Sequence, residues 1–448
     1  MQTQSFRMKK SRTAAAARRE NLGRVLFGLG LSLSICGFYA AMIVFQIVTG
    51  SIEGTRSLSI PLRVAILSLL ISGAILLARN VRISRPPIVE IFLSLFAISY
   101  LLRIYVSRGD AHFLHRDPTE ILLYFLAFCL FPFLAIRLVD MTSARIASIF
   151  RLIVLGALAF AVLVSFAFQD IINIGARAAI SFGANDIISP LFFSYCGSIG
   201  VGLGVAGFFN TASSKRMRIL LLATAILSLV PFFIGGSRGA IVALVLPFLL
   251  FMPFTRSRRI WARIVALASL AIMVGVASLY LDVTAFRRMS EILNDIDSGA
   301  AEASRVYLWT SSFEQFWDNP IFGNSLENDT FSYYPHNFVL EAFISTGIIG
   351  GVPLLAAVWL CVRRCHSITK FQPHNYWVVV LFLQTLTHAL FSGALYSAVW
   401  LSTSMAFLIS VSRSTELQRR IHRNSKYPNL KDPELKVHPK RFVHSTFD

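Results

Sequence analysis

Windows of about 17 to 25 predominantly apolar residues recur along almost the whole chain, and that is the length an α-helix needs to cross about 30 Å of hydrocarbon. They fall at 25–49, 62–78, 88–106, 119–136, 152–168, 187–209, 219–234, 240–254, 264–281, 336–362, 376–391 and 397–412. With 55% hydrophobic residues, 38 Phe and 15% charged residues over 448 positions, the chain is too apolar for an ordinary soluble domain. The expected fold class is all-α: a polytopic transmembrane helix bundle of about 12 spans.

Charge sets the direction of threading. Placing the N-terminus in the cytoplasm puts Arg79, Arg82 and Arg85, then Arg137, Arg145 and Arg151, then Lys215, Arg216 and Arg218, then Arg256 to Arg263, then Arg363, Arg364 and Lys370 on the same side. Both termini are then cytoplasmic. Every basic residue on the opposite, outer side is an arginine. The net charge of +19 is mostly topogenic by this reading, and no nucleic-acid partner is expected. The basic tails suit contact with the lipid bilayer.

The division that follows is a basic tail over 1–24, a transmembrane catalytic domain over 25–412 that contains a long outer loop at 282–335, and a polar tail at 413–448. That tail holds Pro428, Pro433 and Pro439, lacks apolar periodicity and is expected to be disordered. The first apolar stretch exceeds a signal-peptide core and reads as an uncleaved first span. The five cysteines lie in spans or at a cytoplasmic edge, so no disulfide framework is implied.

Some motifs lose their usual meaning in context. Gly202-x-Gly204-x-x-Gly207 matches a dinucleotide fingerprint but lies inside a span with no preceding strand, where close helix packing explains it better. His112-x-x-His115, flanked by Asp110 and Asp117, reads as a solvated loop rather than a cation site. Cys361, Cys365 and His366 at a helix end are too few for a metal centre.

The outer face carries the better leads, because a guanidinium recognises phosphate or carboxylate oxygens through paired donors. Arg238 sits in IGGSRGA, with Ser237 beside it, in a tight turn whose backbone N–H groups could face an anion. Arg177 lies in the loop before the sixth span, where Asn185 and Asp186 follow. Arg305 opens a stretch in which Val306, Trp309, Phe313, Phe316 and Trp317 recur at helical spacing and predict a helix lying on the bundle, stopped by Asp318, Asn319 and Pro320. Trp309, Trp317, Tyr333 and Tyr334 suit either an interfacial belt or platforms for sugar rings.

In PHNFVLE, a His, an Asn and a Glu stand at the mouth of an apolar helix, and an ionisable group at membrane depth carries a functional expectation. Asn337 and Glu341 are four apart and share a helix face, while His336 is free to face the loop. An imidazole there suits a base near neutral pH, and a desolvated carboxylate gains basicity.

The motifs IGGSRGA, SR-x3-W-x7-W-DNPIFGNS and PHNFVLEAFISTGIIGG, in this order around one long outer loop, resemble the O-antigen ligase and Wzy-type polysaccharide polymerase superfamily of bacterial membrane glycosyltransferases. The resemblance covers chiefly residues 170–360. It implies an enzyme of the inner membrane acting, at the periplasmic face, on glycans carried by undecaprenyl diphosphate, with no cofactor and no metal. Candidate further partners are chain-length regulator and export proteins of a polysaccharide pathway. Carried over by position, the catalytic set is His336, Arg305, Arg238 and Glu341. Substrate binding falls to Arg177, Ser237, Asn337, Trp309 and Asn185, with Ala184 departing from the pattern just before Asn185.

Within that resemblance the expected activity is a polymerase joining lipid-linked repeat units into exopolysaccharide or O-antigen. A ligase that hands the finished glycan to lipid A core or another acceptor is the alternative. A glycolipid or polysaccharide transporter is the reading of another class. It would want charged groups lining a path through the spans, whose cores hold few acidic residues apart from Glu90 and Glu341.

Overall fold

In the computed structural model the described residues are 2–49, 52–78, 87–109, 114, 116–167, 180–182, 185–188, 190–209, 214–251 and 302–426. They are helical almost throughout. Helices α1 (Gln2–Ser32) and α2 (Phe38–Thr49) are joined by a π-turn at Leu33–Gly37 and followed by α3 (Ile52–Leu77) and α4 (Ile88–Val106). A second π-turn, Phe125–Leu130, joins α5 (Pro118–Tyr124) to α6 (Phe131–Arg137), and α7 (Ser143–Ala167) comes next. Then come α8 (Pro190–Phe208), α9 (Lys215–Leu227), α10 (Leu229–Gly235), α11 (Arg238–Phe251) and α12 (Glu302–Asp318). The last three are α13 (Phe338–Phe371), α14 (Tyr376–Phe391) and α15 (Val399–Lys426).

Among the described residues, 8 helical segments are long and apolar enough to cross a membrane: Ala15–Thr49, Leu58–Leu77, Ile88–Gly109, Pro118–Arg137, Ser143–Ala167, Pro190–Phe208, Lys215–Gly235 and Phe338–Phe371. The expected spans at 240–254, 376–391 and 397–412 also fall on helices, α11, α14 and α15, while the one at 264–281 lies outside the described residues. Helix α15 continues to Lys426, so helical order extends beyond the boundary expected at 412. Among the described residues two short strands, β1 (Ile180–Phe182) and β2 (Asn185–Ile188), pair antiparallel as a hairpin. The β-branched Ile180, Ile187 and Ile188 favour extended backbone there.

Helix α1 packs on α3 and α7, α13 on α4, α8 on α9 and α10, and α11 on α14. The glycine set at 202, 204 and 207 serves this packing, as expected. A side chain at 204 would meet the Leu221 carbonyl, and one at 202 the Gln384 amide, which donates to the Ser198 carbonyl at 2.7 Å. Glu90 is ion-paired with Arg137, whose guanidinium also donates to Ser410 Oγ at 2.8 Å. It is therefore a local structural pair. Asp117, expected beside a histidine pair, caps α5 by accepting from the Thr119 amide at 2.7 Å. His112 and His115 lie outside the described residues.

The feature that shapes the outer face is a break in α13. Gly347 adopts φ 57°, ψ −155°, a backbone region open essentially to glycine alone. A break orphans carbonyls on one side and amides on the other. The DNPIFGN segment fills both needs: the Asn324 amide donates to the Ile344 carbonyl at 3.0 Å, and the Ile348 amide donates to the Pro320 carbonyl at 2.8 Å. Arg103 of α4 locks the junction. Its guanidinium donates to the carbonyls of Ser345 (2.8 Å), Asn324 (3.1 Å), Phe322 (2.9 Å) and Gly323 (2.6 Å). Two sequence motifs far apart in character, DNPIFGNS and STGIIGG, are thus one structural unit.

Candidate active site

Asn337 is the N-cap of α13, its Oδ1 accepting from the amides of Val339 at 3.0 Å and Leu340 at 3.2 Å. That side chain is engaged in starting the helix. His336, immediately before it, takes φ 57°, an uncommon conformation for a residue with a Cβ. Trp309 of α12 fixes the approach, its indole N–H donating to the Pro335 carbonyl at 2.8 Å. Local strain of this kind clusters at functional sites.

The His336 ring is half-buried against Tyr334 (centroids 4.6 Å apart, edge-on) and Tyr333 (5.5 Å). Its Nδ1 is buried with no hydrogen-bond partner. Burial, reinforced by the positive charge of Arg305, lowers its pKa to about 4, so the imidazole is neutral at physiological pH. The Tyr333 hydroxyl donates to that of Tyr334 at 3.1 Å, and burial holds the Tyr334 phenol protonated well above the ordinary range.

Arg305, near the start of α12, is exposed and donates to the Phe391 carbonyl at the end of α14, at 3.3 Å. Phe391 in turn packs against Gly239, its Cβ 3.3 Å from where a side chain at 239 would begin. Tyr195 of α8 ties in the third element, the turn between α10 and α11. Gly236 at φ 57° ends α10, and Arg238 opens α11. Gly239 is required because a side chain there would collide with the Tyr195 hydroxyl. The Gly236 amide donates to the Phe233 carbonyl at 3.0 Å, and the Ser237 amide donates to Ser194 Oγ at 3.0 Å. The Gly236 and Ser237 N–H groups of the expected amide nest are thus satisfied within the protein.

Glu341 lies one turn below the cap, fully buried, with Oε2 accepting from the Leu395 amide at 2.7 Å and Oε1 unpartnered. No hydrogen bond joins it to His336. It suspends the 392–398 loop, whose Tyr396 ring faces Tyr334 (6.2 Å) and Tyr124 (6.1 Å). Arg177 lies outside the described residues. Asn185 falls in β2, and only its backbone pairing with Phe182 is described.

The structure therefore ties the His336 segment to the helix of Arg305 through the Trp309–Pro335 hydrogen bond, and that helix to the Ser237–Arg238 turn through Phe391, which accepts from Arg305 and packs on Gly239; Asn337 caps α13 and Glu341 holds the Leu395 amide through one carboxylate oxygen. Sequence reading missed Tyr195, Tyr396 and Arg103. The signal for Arg103 was present as an arginine at an outer span end, and that for Tyr195 as the glycine after Arg238. Among the described residues no three His, Cys, Asp or Glu side chains are grouped to hold a metal ion.

Residues 223–355 match the Wzy_C family model, described as O-antigen ligase. The matched segment includes Ser237, Arg238, Arg305, Trp309, His336, Asn337 and Glu341, and leaves out Arg177 and Asn185. The resemblance carried by the three motifs is supported by this independent match. No curated protein matches the chain.

Proposed function

We propose that this relative of the O-antigen ligase and Wzy-type polymerase superfamily is a membrane glycosyltransferase that polymerises oligosaccharide repeat units carried on a polyprenyl diphosphate. It works at the periplasmic face of a bacterial inner membrane. The observation that carries the reading is His336, its backbone in the left-handed region and its Nδ1 buried without a partner, tied by the Trp309–Pro335 hydrogen bond to the helix that carries Arg305, within the segment matched to that family.

The anomeric carbon of a diphosphate-linked sugar already bears a good leaving group. The acceptor hydroxyl oxygen forms the new C–O bond as the bond to the diphosphate breaks, and its proton passes to His336. Negative charge then grows on the departing diphosphate, where Arg305 and Arg238, with Arg177 as a third candidate, neutralise it. Direct displacement inverts the anomeric centre. Trp309 and the Tyr333–Tyr334 pair position the loop and offer ring faces to the glycan.

Glu341 acts in this scheme through the loop it holds. Glu341→Gln keeps an acceptor for the Leu395 amide, so transfer is expected to stay within about tenfold of wild type, whereas Glu341→Leu loses it. A loss of about 10²–10⁴-fold in Glu341→Gln would instead make this carboxylate the base.

The ligase reading is favoured by the wording of the family description itself. Purified protein given a defined polyprenyl-diphosphate oligosaccharide alone separates the two. A product ladder is expected of a polymerase. Transfer only after a lipid A core or protein acceptor is added would make it a ligase, and silence under both conditions would sink the glycosyltransferase reading.

A further inference from the structure

A cavity of about 170 Å³ opens between α2, α3, the 127–132 segment, α8 and the 388–401 segment. Its walls are apolar, with Phe38, Leu67, Phe128, Phe192 and Trp400 among them. Two basic side chains interrupt them, Arg63 and His388. The Arg63 guanidinium is held between two rings, 5.0 Å from the Phe38 centroid and 4.9 Å from that of Phe128. Neither Asp nor Glu lines the cavity, and Arg63 forms no ion pair among the described residues.

His388 is clamped by Tyr195 (4.5 Å), Trp400 (4.7 Å) and Phe192 (5.8 Å), and its Nε2 is buried without a partner. A cation at membrane depth is costly, and two aromatic faces offset only part of that cost. A cation and an imidazole in an apolar cavity without carboxylates are complementary to an oxyanion attached to a hydrocarbon tail. The volume is close to the roughly 150 Å³ of a cavity that takes one benzene ring, so it fits a head group and the first branched unit of a chain.

The cavity adjoins the candidate active site without sharing its cations. Ser392 of its wall follows Phe391, whose carbonyl accepts from Arg305. Tyr334, Tyr396, Tyr124 and Phe128 form a continuous file of rings between His336 and Arg63. Joining two carrier-linked glycans requires two lipid phosphates to be held at once.

We infer that the Arg63–His388 cavity is a second lipid-phosphate site, which holds the phosphate of one polyprenyl carrier while another occupies the Arg305–His336 group. This rests on the polymerase reading above. Native mass spectrometry of the full chain in phosphatidylcholine nanodiscs, with undecaprenyl phosphate added, tests it. Two lipids are expected on wild type, one on Arg63→Gln and one on Leu67→Trp, which fills the cavity while leaving the charge in place. Undecaprenol and inorganic phosphate, each lacking half of the recognised structure, are expected to show no retention at this site.

One lipid on wild type, two on both variants, or equal Arg63-dependent retention of phosphatidylglycerol would overturn the site. Glycan ladder formation by a wild-type protein that binds one lipid would overturn it while leaving the proposed enzymatic function standing. Unchanged thermal unfolding of Arg63→Gln is the control that attributes its loss of lipid to the guanidinium.

Discussion

His336→Ala is expected to lower glycan transfer by about 10²–10⁴-fold, the range for losing a positioned general base, with wild-type amounts of protein in the membrane. Arg305→Ala is expected to be comparably damaging, because charge developing on the diphosphate would lose a fixed donor. The pH profile separates this mechanism from one in which His336 is a structural ring. Only the neutral imidazole can accept a proton, and burial together with Arg305 lowers its pKa from 6.5 to about 4. The competent form is therefore present above about pH 4 and lost as pH falls through that value.

The acid limb of kcat/KM for wild type should accordingly lie nearer 4 than 6.5, and in the residual activity of Arg305→Ala it should move upward. A limb that is unchanged by removing the arginine would show that the two groups do not act together. Full activity in either alanine variant would remove the base and the cation from the proposal.

The bundle was legible because apolar length is a direct consequence of bilayer thickness, and each expected span with described residues falls mainly on helix, although Ile187 and Ile188 at the start of the sixth are extended in β2. The π-turns were not, since Leu33–Gly37 and Phe125–Leu130 are apolar sequences with no local signature that separates i→i+5 from i→i+4 bonding. At the site, residue identity was readable and partnership was not. His336, Arg305 and Arg238 stood out by charge in a greasy chain, yet Asn337 and Glu341, equally polar, turned out to hold α13 and the 392–398 loop. Spacing places Asn337 and Glu341 on one helical face but says nothing of the Leu395 amide, which arrives from 54 residues away in the chain. The same limit hid Tyr195, whose packing on Gly239 depends on two helices meeting.

The long-range junction at Gly347 supplies the largest stability effect expected of any single substitution. Arg103→Ala removes a guanidinium that serves four backbone carbonyls, three in the 322–324 turn and one at the end of the first half of α13. Hydrogen bonds to a charged group contribute about 1.5–3 kcal/mol each, so even with water replacing most of them a cost of about 3 kcal/mol or more is expected. Arg103→Lys should recover only part of it, because a single ammonium cannot fork across carbonyls that diverge as these do. Gly347→Ala attacks the same junction from the other side: its backbone is strained for any L side chain, and the added Cβ would collide with the Ile321 carbonyl. Since both changes dissolve one unit, the double variant should lose less than the sum of the singles. Thermal unfolding in detergent, followed by tryptophan fluorescence, checks this. Strict additivity would mean that the helix break and the Arg103 clamp are independent, and that the loop carrying His336 is held by contacts other than these.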